Sequence, residues 1–272
     1  MQTLRPVSWW HCVAKTTRSA SATASDVEPA EVVWCAGCPH AADLLSQGKC
    51  RPADACVRSP VGRQIDRFFR ANPGIADAYA DTSHWERRAI ALRYASMSSV
   101  RAHLRDDDEV VRRVVAGRLP PAELHGLRRD SDREVRIAVA QRLPVDDLLA
   151  MAGDADYLVR VVVARRLAHG RLPRLVNDPE REVRKTVARR LPAFALGKLV
   201  TDPEPEVRRI VAERALPQDA ARLVDDPEWT VRLAACAVAP KEAVRALLAD
   251  PEPEVRKLAC ERLAKSDSDE GG

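Results

Sequence analysis

The sequence predicts an all-α solenoid of 24-residue units, each an α-helix followed by a short 3-10 helix, with no strands and a small cysteine-bearing domain in front. Three observations carry this prediction. The dipeptide Val-Arg recurs at 111–112, 135–136, 159–160, 183–184, 207–208, 231–232 and 255–256, always 24 residues apart. Register kept without an insertion over so many copies is the mark of stacked repeats. Each copy is framed by helix start and stop signals, and no stretch alternates with a period of two. Finally, aromatic residues make up 4% of the chain and charged residues 31%, a composition that suits helices better than a sandwich or barrel.

The elements follow in chain order. Residues 1–29 carry a short apolar patch at Trp9 and Trp10, interrupted by His11 and Cys12 and followed by a Ser/Thr/Ala stretch. This is too short and polar for a secretory signal and reads as a disordered arm. Residues 30–75 form the second segment. It contains Cys35-x2-Cys38-x11-Cys50-x5-Cys56, with Ala41, Leu44 and Leu45 at helical spacing and Gly48 as a stop. In 61–70, Ile65, Phe68 and Phe69 make an apolar helical face, and Asn72-Pro73-Gly74 makes a turn. This segment is placed to dock on the first repeat and seal its open end.

The array spans 76–265. One unit, DPEREVRKTVARRLPAFALGKLVT (178–201), shows the physics. Asp178 is read as the helix cap, Pro179 as the first helical residue and Glu180 as first-turn negative charge. Val183, Thr186, Val187 and Arg190 share a stripe. Pro192 ends a helix of about twelve residues by steering Leu191 out of the α region. The remaining space around Leu196 and Leu199 suits a 3-10 segment. Across units the cap column reads Asp106, Asp130, Asp154, Asp178, Asp202, Asp226 and Asp250. An acid stands four residues before each Val-Arg arginine, at Asp108, Asp132, Asp156, Glu180, Glu204, Glu228 and Glu252, the favourable order for an i,i+4 pair. Arg118, Arg142, Arg166, Arg190, Arg214 and Arg262 form a second arginine column, read as caps on helix-terminal carbonyls that also bond the next unit. Val238 breaks it. Ala116, Ala140, Ala164, Ala188, Ala212, Cys236 and Cys260 form a small-residue column for close helix approach. A degenerate unit precedes the rest, with Thr82 for the aspartate and Arg87 for the valine but Arg88 in its column. The tail, 266–272, is acidic and expected to be disordered.

Two observations bear on function. The four cysteines admit three chemistries. Two disulfides suit a secreted domain, which nothing here supports. Structural zinc accepts the Cys35-x2-Cys38 knuckle, but the second pair is spaced too widely for a standard zinc site. An iron–sulfur cluster tolerates the wider spacing. Spacing alone leaves zinc and iron–sulfur open, and His11 and His40 are not needed as ligands. No phosphate-binding Gly-Lys-Ser/Thr loop, HExxH or nucleophile elbow occurs, so no enzyme is expected.

The Asp-Pro-x-x-x-Val-Arg unit with its small-residue column and Leu-Pro resembles the leucine-rich repeat variant family, and the cysteine segment resembles the iron–sulfur domain attached to that family. The resemblance implies alternating α and 3-10 helices in a right-handed superhelix. It also implies a [4Fe-4S] cluster, with Cys35, Cys38, Cys50 and Cys56 as ligands; structural zinc is the alternative. It brings no settled activity. The expectation is a cytoplasmic, non-catalytic scaffold that binds a protein partner, with the cluster as cap and redox sensor. A nucleic-acid-binding solenoid is one alternative, resting on Arg165, Arg166, Arg171, Arg174, Arg181, Arg184, Lys185, Arg189 and Arg190. An electron-transfer protein is the other. No run of about eighteen apolar residues is present, so no membrane-spanning helix is expected.

Overall fold

The computed structural model describes the backbone of residues 35–269 and side chains through Ala264. The predicted arm, 1–29, lies outside these residues. The chain packs as two compact units that part between Phe68 and Phe69, inside the helix Gly62–Ala71.

The second unit is the array. Ten-residue helices recur at Glu109–Arg118, Arg133–Arg142, Tyr157–Arg166, Arg181–Arg190, Pro205–Arg214 and Trp229–Val238. Between them run 3-10 segments: Pro121–Leu127, Val145–Met151, His169–Leu175 and Ala193–Leu199. The alternation of α and 3-10 helices is therefore as the sequence predicts, and no strand occurs among the described residues. Three stubs depart from it. Met97–Ala102 is α-helical, its Ser96 side chain accepting the Ser99 N–H at 3.4 Å. In the two later units the stub opens as one α turn, Pro217–Ala220 and Lys241–Val244. The last helix runs Pro253–Asp269. Residues 266–269, expected in a disordered tail, are helical because the first stop signal, Gly271, lies beyond them.

Each unit buries the same set. In one copy these are Val183, Val187, Ala188, Leu191, Leu196 and Leu199, all within 2% of full burial. One unit cannot enclose such a set alone; stacking completes it. Leu191 is extended (φ −59°, ψ 143°) before Pro192, as its neighbour demands. The small-residue column is fully buried from Ala116 through Cys236, while Cys260 in the last unit is exposed.

The aspartate column does not cap the helices. The caps lie two residues later, at Asp108, Asp132, Asp156, Glu180, Glu204 and Glu228. Asp108 accepts the Val110 and Val111 N–H groups at 2.9 and 3.2 Å. Asp132 and Asp156 likewise turn inward to the backbone, whereas Glu180, Glu204 and Glu228 stand at the cap position without a side-chain cap bond; the arginine four residues on is held elsewhere. The arginine instead reaches eighteen residues forward. Arg184 Nε and Nη2 donate to Asp202 Oδ2 and Oδ1 at 2.7 and 3.0 Å, and Nη1 donates to the Asp178 carbonyl at 2.8 Å. The same bidentate pair recurs from Arg88–Asp106 to Arg232–Asp250. Each aspartate also folds its own turn, Asp178 Oδ1 accepting the Glu180 N–H at 2.9 Å. A planar, five-donor guanidinium is the side chain that can tie a turn to its successor in this way. Even the degenerate unit keeps the device, Arg88 Nη1 donating to the Thr82 carbonyl at 2.7 Å.

These pairs set the acid sensitivity. Burial alone would raise the Asp106 and Asp130 carboxyls, but Arg88, Arg112 and backbone N–H groups hold both below the ordinary 3.8. Hydrogen bonding from Arg232 lowers Asp250 likewise. A depressed folded-state pKa contributes stability that is full above the unfolded value and lost as pH falls through the folded one. Thermal melts should therefore hold a constant midpoint from neutral pH to about pH 5 and fall steeply below about pH 4.

The second arginine column does cap carbonyls, but those of the preceding unit rather than the next. Arg190 Nη1 donates to Ala164 O and Leu167 O at 2.8 and 2.6 Å, and Arg166 to Ala140 O and Leu143 O at 2.8 and 2.9 Å. The need arises from Leu-Pro. Ala116, Ala140, Ala188 and Cys236 each stand four residues before a proline, which has no N–H to give them. Arg166→Met should take this donor from the Ala140 and Leu143 carbonyls, ahead of Pro144, and lower stability by about 1–3 kcal/mol, read from the urea midpoint.

Candidate metal centre

The first unit is built from tight turns. Cys35 to Cys38 is a β-turn, the Cys38 N–H donating to the Cys35 carbonyl at 3.1 Å with Gly37 at φ +66°. That backbone conformation favours glycine, and it brings two sulfurs onto one loop. A further turn ends at Gly48, φ +68°, after which the Cys50 N–H returns to the Leu44 carbonyl at 3.1 Å. A single β-bridge, Arg51 with Ala55, encloses Pro52, Ala53 and Asp54. Ala53 sits at φ +61°, an uncommon place for a residue with a Cβ. The Cys56 N–H then donates to the Gln64 carbonyl at 3.2 Å, which ties the last cysteine to the helix Gly62–Ala71. Two side chains close the module. Arg58 Nη1 donates to the Ala36 carbonyl at 2.7 Å, and Gln64 Nε2 to Ala53 O at 2.6 Å. Ile65 and Phe68 are fully buried beneath it.

The cysteines sort by burial. Cys50 and Cys56 are buried, Cys35 and Cys38 half-buried, and none of the four is in a disulfide bond, so the disulfide alternative is absent from this structure. Burial pushes the Cys50 thiol up to about 11, and the neighbouring charges of Cys56, Cys38 and Cys35 push the same way. Thiolates brought close together repel one another, and a bound cation relieves that repulsion. Among the described residues, no three His, Cys, Asp or Glu side chains converge on a point fit for one metal ion. The donor set is soft and all-sulfur, the chemistry of zinc and of iron–sulfur clusters. The His40 ring lies 5.5 Å from that of Phe68. Cys236, in the array, is buried and its thiol is raised by that burial, as a small core residue should be.

The arginine-rich stretch is mostly committed elsewhere. Arg184 holds Asp202, Arg166 and Arg190 hold carbonyls, and Lys185 bonds Glu206 at 2.5 Å and Glu182 at 3.1 Å. Arg181 lies 3.7 Å from Glu204. Arg165, Arg171, Arg174 and Arg189 remain as exposed cations. Among the described residues, no helix is long and apolar enough to cross a membrane.

A family model described as the FeS4 cluster of LRV proteins matches residues 30–78, which contain all four cysteines. The leucine-rich repeat variant model matches 133–156 and 181–204. A curated protein of Rhodobacter capsulatus, described as an uncharacterized 27.7 kDa protein in the nifB 3′ region, is 41% identical over 80 residues, 29% of this chain and 33% of that one. The chain thus spans about a third of that relative's length. A solved structure, described as a leucine-rich repeat variant with a novel repetitive protein structural motif, is 53% identical with a TM-score of 0.80, over 84% of this chain and 97% of that one. With identity at that level over almost the whole of that structure, and with the same alternation of α and 3-10 helices, the chain belongs to the leucine-rich repeat variant family.

Proposed function

We propose that the protein is a non-catalytic repeat scaffold that binds another protein along its array and carries a [4Fe-4S] cluster on Cys35, Cys38, Cys50 and Cys56. The observation that supports this reading is that four cysteines, two buried and two half-buried and none in a disulfide, lie inside the segment that the FeS4 cluster model matches. A bound cluster would cross-link the turns that hold its ligands and supply a one-electron redox centre. The protein's own part is to hold the sulfurs on short turns and to shield two of them from water. The scaffold reading draws on the charge pattern: most array cations are already bonded within the array, which leaves shape and local apolar patches as the means of recognition. The capping role expected from the sequence becomes a stability claim, that loss of the cluster lowers the array's melting point.

The fate of the arginines favours a protein partner over nucleic acid. Four exposed arginines give weak, salt-sensitive binding at most. Titration of labelled single-stranded and duplex DNA and RNA at low salt should show no affinity that survives physiological salt. A salt-resistant complex would replace the scaffold reading with the nucleic-acid one. Affinity capture with oxidised and reduced protein tests the sensor role, which predicts different partners or affinities in the two states; identical binding removes it.

A further inference from the structure

Two arginine columns run along the array, and both are bonded within it. One further column turns cationic in three successive units. Arg174, Lys198 and Arg222 stand 24 residues apart on the stubs, where other units have Ala102, Gly126, Ala150 and Ala246. All three are exposed. Arg174 and Lys198 have no side-chain partner among the described residues. Arg222 lies 3.8 Å from Asp219 and its side chain is still 54% exposed. Arg171, also exposed, precedes Arg174 by three residues, the spacing that brings side chains together on a 3-10 helix. In the two preceding units Glu123 and Asp147 stand in the Arg171 column, so the ridge changes sign between Asp147 and Arg171.

The acids near this run do not cancel it. Asp219 packs against the preceding stub, where a Cβ on Gly197 would lie 3.1 Å from its Oδ1, and its side chain is 19% exposed. Asp225, in the turn after Arg222, lowers the charge at that end alone. Lys198 and Arg222 each edge a cleft between stacked units, beside the Arg184–Asp202 and Arg208–Asp226 pairs. Phe194, four residues before Lys198 on the same stub, is 76% exposed, more than any other large apolar side chain among the described residues. The spacing sets the shape of a ligand. Stacked helices lie about 8–10 Å apart, and an extended peptide advances about 3.3 Å per residue. Three peptide residues therefore span one unit.

We propose that this ridge binds an extended acidic segment of the partner protein. Carboxylates at every third residue of that segment meet Arg174, Lys198 and Arg222 in turn, and an aliphatic side chain between them covers Phe194. Charge complementarity fixes the sign of the occupant, and the unit spacing fixes the interval of its acids. With one aromatic side chain on the ridge, bases would have little to stack on, which favours carboxylates over a nucleic-acid strand. The inference deepens the scaffold reading and rests on it, by naming one site and the chemistry of its partner.

The probe is a fluorescent peptide, Glu-Leu-Ser-Glu-Leu-Ser-Glu, titrated with the full chain at low salt and read by anisotropy. It should bind at least about fivefold more tightly than Glu-Glu-Glu-Leu-Ser-Leu-Ser, which has the same composition and charge but the wrong interval. Lys198→Glu should weaken binding by at least about tenfold. Lys198→Gln, which places no new acid beside Asp202, should weaken it by at least about threefold, as should Phe194→Ala. Arg165→Gln removes an exposed cation outside the ridge and should leave binding unchanged. Equal binding of the two peptides, undiminished binding by the Lys198 variants, or equal weakening by Arg165→Gln overturns the proposal. So does an oligothymidine that binds more tightly than the peptide and is weakened by Lys198→Gln, which would give the ridge to nucleic acid. The scaffold reading fails separately, when the capture experiment finds no partner for the unaltered chain.

Discussion

Arg184→Ala is expected to lower the stability of the array by about 3–5 kcal/mol, the largest loss of any single exchange on the ladder. The side chains of Arg184 and Asp202 are only 9% and 2% exposed. Removing the guanidinium strands a carboxylate that water cannot reach, and it also deprives the Asp178 and Pro179 carbonyls of their shared donor. Arg184→Lys should recover less than half of the loss, because an ammonium cannot bridge two carboxylate oxygens and a carbonyl at once. Adding Asp202→Asn to Arg184→Ala should restore part of it, since the amide oxygen still accepts the Glu204 N–H while the stranded charge is gone. Urea unfolding followed by circular dichroism reads all three. A loss below about 1 kcal/mol, the range of surface pairs, would mean that the ladder is decoration rather than glue.

The second large effect concerns the sulfurs. Cys50→Ser and Cys56→Ser remove the two buried ligands, and each should abolish cluster binding and with it the broad visible absorption of the purified protein. A serine oxygen is a harder donor than a thiolate, and at a buried position no water-exposed neighbour can take its place. Cys236→Ser, buried in the array, should cost stability but leave the chromophore unchanged. Cys260→Ser, on an exposed thiol, should change neither. If either array variant bleached the protein, the ligand assignment would be wrong.

Much of this architecture could be read from sequence because a repeat shows the same physics many times over. Leu-Pro forces an extended residue wherever it occurs, so helix ends were legible; Leu196 and Leu199 had room for nothing longer than a 3-10 segment. What could not be read was direction. The acid four residues before Arg184 and the aspartate eighteen after it both satisfy the charge pattern, and only the folded turn shows that Glu180 is a cap while Asp202 is the partner. The same holds for Arg190, whose carbonyl partners lie behind it in the chain rather than ahead. In the first unit the spacing of four cysteines named the donors but not the guest, since zinc and a cluster accept the same sulfurs.

The central claim is that Cys35, Cys38, Cys50 and Cys56 hold one cluster in front of a non-catalytic array. Its most direct test is the iron and acid-labile sulfide content of protein purified without oxygen. About four of each per chain, lost together in Cys50→Ser, is the result the account predicts. A colourless protein with one zinc and no sulfide would contradict it.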